Sequence, residues 1–452
     1  MSTEVEKSLL LGEACGILLE SPPNAVRIVR NGMKVKMKKK TYDEVMAIET
    51  PKHQKPPKPW FLLRTLVRVL SQFDMWRTGF RYTWEDREKC PKGPYLILMN
   101  HSSFLDLKIA SRILYPMPYH IVSTSDTLIG KAWLMRHIGC IPTEKYVSDL
   151  MLLRDMKHAL EKNKTSVLMY PEAGYTFDGC AVKLPDKMGP LFKMLKVPVL
   201  MITSYGAFHE QPLYNALRHR KVKVSAKVKC LFTKEEIAEK SADELDAIVK
   251  EAFSFDNFRW QKENGIRVSE VTRAEGLEKL LYRCADCEAE GFMTSQGDTL
   301  TCQSCSHRFH LTEYGEIEAL DGETRFSHIP DWYRWERDTV KREVEEGGYR
   351  LSSDVELFMT VDYKSVYRVT HGSLSHTEEG FVLKNEAGDV LYEQKPLFSH
   401  GVCADFFWYE QGDVIGIGPK GRTYYCLLKD NWKVAKMRFG AEELYKHLHH
   451  RS

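Results

Sequence analysis

The sequence predicts an α/β domain with a mixed, mostly parallel sheet, followed by a small four-cysteine ribbon and a β-rich C-terminal domain. Apolar runs of strand length alternate with helical stretches between residues 93 and 232, four cysteines lie in two close pairs, and strand-length runs return near the C-terminus. A chain of 452 residues is too long for one ordinary core. The expected units are an N-terminal hairpin and linker (1–58), the α/β domain (59–260), the ribbon (270–325) and the C-terminal domain (327–452).

The composition is that of a globular protein with a packed core, since 43% of the residues are hydrophobic and 28% are charged. The formal net charge of +3 is small for this length, so attraction to nucleic acid or lipid depends on local clusters. The N-terminus has an acidic opening and no basic n-region, and no apolar run reaches the roughly 20 residues that span a bilayer. We therefore expect a cytoplasmic protein that is peripheral on the cytoplasmic membrane face.

The first expected element is a β-hairpin around Asn31-Gly32, because both residues tolerate positive φ. Lys34, Lys36 and Lys38 would share one face of its second strand. That face could touch anionic lipid, or it could be a solvated face that keeps an edge strand from aggregating. The proline-rich residues that follow predict a stiff linker.

Residues 60–78 are expected to form one helix, because Pro59 and Gly79 lie where helix punctuation places them. Arg64 and Arg68 fall on one polar stripe, and large apolar side chains cover much of the remaining surface. Such a helix can lie in the lipid interface with its arginines at the headgroups. It can equally be an ordinary core helix with a polar stripe.

Five apolar runs between residues 93 and 232 are expected to be strands of one α/β sheet, with functional groups on the loops at strand ends. These runs are residues 94–100, 118–124, 165–171, 197–204 and 222–232. Residues 233–253 are then expected to be helical, with Ser241 and Glu244 spaced as a capping box.

His101 and Asp106 follow the first of these runs, in the segment HSSFLD. If Ser102 or Ser103 caps the next helix, His101 lies in the turn and Asp106 lies in the first helical turn. A carboxylate there can hold one imidazole nitrogen and leave the other as a base. Taken alone, the spacing also fits a capping arrangement beside an ordinary loop histidine.

Three further segments change this balance: GCIPTEK at 139–145, YPEAGYTFDG at 170–179 and VPVLMI at 197–202. With NHSSFLD they follow the order and approximate spacing of four motif blocks. Residues 60–232 thus resemble the lysophospholipid acyltransferase family, typified by 1-acylglycerol-3-phosphate acyltransferase. The resemblance implies an α/β acyltransferase domain of phospholipid biosynthesis. It would move a fatty acyl group from an acyl thioester, acyl-CoA or acyl carrier protein, to a lysophospholipid hydroxyl, with 1-acylglycerol-3-phosphate as the expected acceptor and phosphatidic acid as the product.

The resemblance also implies roles for residues. His101 would be the general base, Asp106 its orienting partner, and Glu172 and Gly174 would shape the acceptor site. Lys145 stands where the family usually has an arginine that contacts the acceptor's phosphate, and it supplies a point charge instead of a two-pronged contact.

The third block departs from the family pattern, because P-E-G-T-R is replaced by PEAGYT without an arginine. A different acceptor, glycerol-3-phosphate or an aminolipid, is therefore an alternative. So is a non-catalytic, zinc-containing scaffold that binds lipid at the membrane without reacting.

The zinc expectation comes from Cys284, Cys287, Cys302 and Cys305, which form two C-x2-C pairs about fifteen residues apart. Two turns at that spacing can present four thiolates tetrahedrally, which predicts a structural Zn²⁺. The other cysteines are scattered, as in a reducing compartment. Because the ribbon carries few basic residues, no nucleic acid is expected as a partner. The expected partners are the thioester donor, the lysophospholipid acceptor and the membrane surface.

Beyond Trp332 the sequence predicts a short helix, then strands that include 355–361, 424–429 and 432–439, and a terminal helix at 441–450. Several strands followed by a helix loosely resemble a pleckstrin-homology-like barrel. The tryptophans of this region are expected in the core.

Overall fold

The computed structural model describes residues 35–147, 149–185 and 187–449. The hairpin predicted around Asn31-Gly32 lies outside these residues. Within these ranges, no helix combines the length and the apolar character needed to cross a bilayer. The described chain opens with the three-residue strand β1 (Met37–Lys39) and the helix Tyr42–Met46.

A seven-stranded sheet forms the centre of the α/β domain. Its strands are β2 (Arg81–Glu85), β3 (Leu96–Met99), β4 (Tyr119–Thr124), β5 (Cys140–Thr143), β6 (Ser166–Met169), β7 (Val199–Tyr205) and β8 (Ser225–Phe232). In the order β2-β8-β7-β3-β6-β4-β5, only β7 and β8 pair antiparallel. The prediction of a mixed, mostly parallel sheet is confirmed, although β2 and β5 were not predicted.

Strand β3 lies in the interior of this sheet, and all four of its side chains are buried. Ile97 and Met99 pack on one face, against the helix Leu105–Leu114. Leu96 and Leu98 pack on the other, against the helices around Met156 and Phe192. Because helices cover both faces, the strand is apolar at every position. The backbone that leads into His101 is thereby held from both sides.

The helices of the α/β domain are Phe61–Leu70, Gln72–Arg77, Leu105–Leu114, Ala132–Ile138, Leu150–Glu161, Gly189–Leu195, Ala207–Glu210, Lys234–Glu239, Ala242–Ala252 and Asn257–Glu263. Two predicted helices are each divided in two. Residues 60–78 break at Ser71, whose hydroxyl donates to the Val67 carbonyl at 2.6 Å. Residues 233–253 break because a capping box starts a new helix at Ser241. The predicted Ser241–Glu244 box is confirmed.

The four-cysteine ribbon is a four-stranded antiparallel sheet in the order β12-β11-β10-β9. Its strands are β9 (Met293–Gln296), β10 (Thr299–Cys302), β11 (Arg308–Leu311) and β12 (Ile317–Ala319). Its apolar face, with Leu300 and Phe309, packs against Trp332 of the helix Ile329–Glu345. The ribbon therefore shares a core with the C-terminal region.

The C-terminal region is β-rich, as predicted. Its strands are β13 (Arg350–Thr360), β14 (Val366–Thr377), β15 (Gly380–Asn385), β16 (Val390–Gln394), β17 (Cys403–Trp408), β18 (Gly412–Ile417) and β19 (Thr423–Leu428). They pair antiparallel in the order β16-β15-β14-β13-β19-β18-β17, and β1 joins β14 in parallel. The pleckstrin-homology-like assignment and the domain boundaries stay predictions. Short 3₁₀ helices occur at Arg87–Lys89, Ser125–Leu128, Leu213–Asn215, Leu277–Lys279 and Pro396–Phe398.

The prediction of a strand at 432–439 is wrong, because these residues begin the helix Lys433–His449. Every side chain from Val434 to Leu444 is buried, so this part of the helix is apolar or ion-paired all round. A short apolar run buried on all sides has no period that separates a helix from a strand. The helix lies in one hydrophobic cluster with the ribbon and with Phe177 of the α/β domain.

Candidate active site

The turn between β3 and the helix Leu105–Leu114 brings His101 and Asp106 together. The Nδ1 atom of His101 lies 2.9 Å from Oδ2 of Asp106. The Asp106 side chain is 1% exposed, whereas that of His101 is 18% exposed. A buried carboxylate thus holds one imidazole nitrogen and directs the other, Nε2, away from itself. This arrangement suits a histidine that accepts a proton from a hydroxyl.

The Asp106 carboxylate is fixed by the backbone of the turn. Its Oδ2 atom accepts hydrogen bonds from the backbone N–H groups of Ser102 at 2.8 Å and Ser103 at 3.1 Å. Phe104 occupies the N-cap position, and the Ser103 hydroxyl one residue earlier accepts the N–H of Leu105, the first helical residue, at 3.2 Å. The Asp106 carboxylate satisfies the N–H groups of Ser102 and Ser103 from the first helical turn, where the helix dipole also favours a negative charge.

Two tyrosines enclose the His101 ring. The ring centroid of His101 lies 4.1 Å from that of Tyr170 and 4.0 Å from that of Tyr175. Burial lowers the pKa of His101, Asp106 acts against this change, and the charge of Lys145 adds to it. A lowered pKa keeps the imidazole neutral near neutral pH, as a general base requires. Sequence reasoning missed both tyrosines, although they lie inside the quoted third block.

Glu172 ties the third block to the turn. Its Oε2 atom accepts the backbone N–H of His101 at 2.7 Å, and its Oε1 atom accepts that of Val182 at 2.8 Å. Burial raises the pKa of Glu172 to about 8, although both N–H donors act against the rise. Gly174 borders open space, because a Cβ atom there would meet no atom within 4 Å. Glu172 therefore braces the loop, and Gly174 leaves room beside it.

Comparison with known proteins agrees with this geometry, since residues 81–205 match the family model described as Acyltransferase. The chain contains an acyltransferase domain. The matched segment includes His101, Asp106, Lys145 and Glu172, and the protein is accordingly an acyltransferase enzyme.

Similarity outside the family model is low. No curated protein matches the chain. Among solved structures, the chain is similar to the crystal structure of the 1-acyl-sn-glycerophosphate (LPA) acyltransferase PlsC from Thermotoga maritima. The two are 18% identical, the match covers 42% of this chain and 79% of that chain, and the TM-score is 0.32. A likeness of this size carries no argument about function.

Lys145 of the acyltransferase domain follows β5 and lies close enough to lower the pKa of His101. Burial alone would lower the pKa of Lys145, but the surrounding groups, with Cys403, Asp405 and Asp126 foremost, raise it on balance. The ammonium group is therefore charged. Cys403 and Asp405 belong to β17, so the C-terminal region contributes to the electrostatics of the acyltransferase site.

A cleft lies between the acyltransferase domain and the C-terminal sheet. Its empty volume is about 460 Å³, which includes space open to solvent. Thr124 and Lys145 line it from one side, and Cys403 and Tyr425 line it from the other. Lys145 therefore both lines the cleft and acts electrostatically on His101.

The helices Phe61–Leu70 and Gln72–Arg77 expose apolar side chains to solvent. Leu62 and Trp76 are each 77% exposed, and Val69 is 62% exposed. Val67 is the one buried residue of the first helix. Phe61, Leu62 and Val69 are exposed and the other six residues of this helix are half-buried, which favours the lipid-interface alternative; that alternative stays a prediction.

The ribbon brings Cys284, Cys287, Cys302 and Cys305 together, with their Sγ atoms all within 4.8 Å of one another. The Cys284–Cys305 and Cys287–Cys302 Sγ distances are both 3.7 Å. Tetrahedral Zn²⁺ with bonds of about 2.3 Å would separate its sulfur ligands by roughly 3.8 Å. The four side chains fit this ion, and the identity of the metal stays a prediction.

Proposed function

We propose that this acyltransferase moves a fatty acyl group from an acyl thioester, acyl-CoA or acyl carrier protein, to the free hydroxyl of a lysophospholipid. The leading acceptor is 1-acylglycerol-3-phosphate, and the product is then phosphatidic acid. The observation that carries the proposal is the 2.9 Å contact between His101 and Asp106 at the end of β3, inside the acyltransferase domain.

In the proposed mechanism, Nε2 of His101 takes the proton of the acceptor hydroxyl as its oxygen attacks the thioester carbonyl. The tetrahedral intermediate then collapses, the carbon–sulfur bond breaks, and the imidazolium returns the proton to the departing thiolate. Asp106 stabilises the imidazolium between these steps. Because a thioester is already activated, alignment and proton transfer supply most of what the protein must add.

Lys145 and the cleft beside it are proposed to hold the acceptor's headgroup. An ammonium group attracts phosphate as a point charge, so recognition depends less on geometry than with an arginine. Asp126 and Asp405 also act on this position. Their carboxylates favour the alternative of an aminolipid acceptor, whose cation they could meet, over the alternative of glycerol-3-phosphate.

Peripheral membrane binding, on the cytoplasmic face, is part of the proposal; the exposed apolar side chains of the helix pair Phe61–Arg77 support the contact with a membrane surface. Leu62, Val69 and Trp76 would enter the lipid interface while Arg68 reaches headgroups, whereas Arg64 donates to the Pro116 carbonyl at 3.0 Å. An acyltransferase with a lipid acceptor gains direct access to its substrate from such a surface.

The ribbon is proposed to hold a structural Zn²⁺. Four thiolates leave no open coordination position, so the metal would stabilise the fold and would take no part in acyl transfer. The shared core of the ribbon and the C-terminal helices makes stabilisation of this region the expected role.

The test is to incubate the purified full-length protein with acyl-CoA and, separately, with acylated acyl carrier protein, each with a panel of acceptors, and to identify the products by mass spectrometry. The panel contains lysophosphatidic acid, glycerol-3-phosphate and an amine-bearing lysophospholipid. Absence of any acylated product would refute the proposal. Liposome binding without thioester consumption would favour the non-catalytic scaffold.

The variant His101→Ala is expected to lower kcat by about 10²- to 10⁴-fold, because only the base is lost. Its melting temperature should stay close to that of the wild type. The control is His371→Ala, an exposed histidine on β14, which should keep wild-type turnover. Normal turnover of His101→Ala would rule out the mechanism.

A further inference from the structure

The third motif block lacks the arginine of the family pattern, yet a guanidinium contacts this block from a distant part of the chain. The guanidinium carbon of Arg438 lies 4.6 Å from the ring centroid of Phe177, within cation–π range. Arg438 belongs to the C-terminal helix Lys433–His449. The contact therefore joins the acyltransferase loop to the last helix of the chain.

Phe177 is held on both sides by the C-terminal region. Its ring stacks on that of Phe406 in β17 at 4.3 Å. Phe177 and Phe406 are 2% and 1% exposed, and Arg438 is 5% exposed. The ring is thus fixed in a closed pocket made by the C-terminal strand and helix.

The residues next to Phe177 fix His101. The backbone N–H of Thr176 donates to the His101 carbonyl at 3.1 Å. Tyr175, one residue earlier, covers the His101 ring at 4.0 Å. Because Thr176 and Tyr175 are joined to Phe177 by one and two peptide units, a shift of the Phe177 backbone would be passed on to both.

Arg438 is itself held in place. Its Nε atom donates to Oε1 of Glu442 at 3.1 Å, one helical turn away. Burial raises the pKa of Glu172, and the charge of Arg438 acts against that rise. Arg438 therefore acts on the loop both by contact with Phe177 and electrostatically at Glu172. Being almost fully buried, it cannot serve as a ligand of the acceptor's phosphate.

We propose that Arg438 is a positioning residue for acyl transfer, which clamps Phe177 against β17 and so holds the third block over His101. This inference rests on the proposed function, in which His101 is the base. It makes the C-terminal region part of the working acyltransferase site, although the family model ends at residue 205.

The chain offers a matched control in Arg337. Like Arg438, Arg337 donates to Glu442 and lies 4.6 Å from a phenylalanine ring centroid. Its ring is that of Phe439, on the C-terminal helix, instead of a ring of the third block. The variants Arg438→Lys and Arg337→Lys both keep the positive charge and both lose the flat guanidinium, Arg438 being buried and Arg337 half-buried. They differ in whether the acyltransferase loop is released.

Arg438→Lys is expected to lower kcat by about 10- to 100-fold, because small misplacements of reacting groups are costly. The KM of the acyl donor should stay within about two-fold, since Arg438 does not touch substrate. Arg337→Lys should lower the melting temperature by a similar amount while its kcat stays within about two-fold of the wild type. Equal losses of kcat in the two variants, or wild-type kcat in Arg438→Lys, would overturn the inference.

Two further measurements keep the test decisive. If Arg438→Lys does not fold, Phe177→Leu removes the clamped ring and should give the same loss of kcat at unchanged KM. Unimpaired turnover of Phe177→Leu would overturn the inference.

Hydrogen exchange of residues 170–182 does not depend on turnover and should rise in Arg438→Lys alone. If the wild type acylates nothing and this difference is present, the clamp stands and the proposed function fails. If exchange is equal in Arg438→Lys and Arg337→Lys, the clamp fails.

Discussion

The variant Asp106→Asn tests whether a charge or a shape orients His101. The Oδ2 atom of Asp106 meets the imidazole at 2.9 Å and the two backbone N–H groups of Ser102 and Ser103 at 2.8 and 3.1 Å. An asparagine oxygen can occupy this position and keep all three contacts. The geometry of the turn should therefore survive, while the negative charge that stabilises an imidazolium is lost.

The expected loss of kcat is about 10²- to 10⁴-fold, the range of general-base catalysis. The acidic limb of the pH profile should also move. His101 works as the neutral imidazole, so the rate rises with pH through its pKa. Burial and Lys145 lower this pKa below its ordinary 6.5, and Asp106 raises it. Removal of the Asp106 charge removes the raising contribution, so the limb should move to lower pH.

The assay is product formation by mass spectrometry at saturating donor, over roughly pH 5 to 8. Asp155→Asn is the matched control, because Asp155 is a buried carboxylate that meets His53 at 3.0 Å away from the site. Asp155→Asn should change neither the maximal rate (the plateau of the pH profile) nor the position of the acidic limb. A plateau within about ten-fold of the wild type for Asp106→Asn, or a limb that moves to higher pH, would refute the orienting role of the carboxylate.

The raised pKa of Glu172, about 8 in the folded protein against 4.5 for the ordinary group, means that wild-type stability falls as pH rises from about 4.5 through 8. Glu172→Gln should lack this decline. The measurement is the free energy of unfolding in urea at several pH values, and an equal fall for the wild type and Glu172→Gln would contradict the prediction. Elemental analysis should find one Zn²⁺ per chain and less in Cys302→Ser, and equal metal content would count against the site. Leu62→Glu should weaken liposome binding several-fold without changing kcat on detergent-dispersed acceptor, whereas unchanged binding would exclude the helix pair as the membrane contact.

The sequence predicts those parts of this protein that depend on short stretches of chain. The central strands were predictable because each is an apolar run covered by helices on both faces, and β3 is buried at every position. His101 and Asp106 were predictable as neighbours because they are five residues apart across one strand–helix turn. The clustering of the four cysteines was predictable because they are also close in sequence: one hairpin is enough to bring the two C-x2-C pairs together.

The parts that could not be predicted depend on distant contacts or on patterns without a clear period. β2 and β5 are the two edge strands of the sheet; β2 has largely exposed side chains, and β5 contains Pro142. The helix Lys433–His449 hides its period because it buries Lys436 and Arg438 through ion pairs with glutamates. Tyr175 covers His101 only because the third block folds back over the turn, and nothing in the spacing of these residues indicates it.

The placement of Phe177 predicts what happens when the chain is truncated after the α/β domain. The acyltransferase loop buries this aromatic ring against Phe406 and Arg438, so a chain cut after the α/β domain would expose it beside His101. The same cut would free a Glu144 carboxylate oxygen that now accepts the Gly421 N–H at 2.7 Å. Since an exposed apolar ring and the loss of the Glu144 hydrogen bond both weaken the arrangement of the site, the family-matched segment is not expected to be active alone. The C-terminal region is then better understood as the second wall of the acyltransferase site than as an appended module.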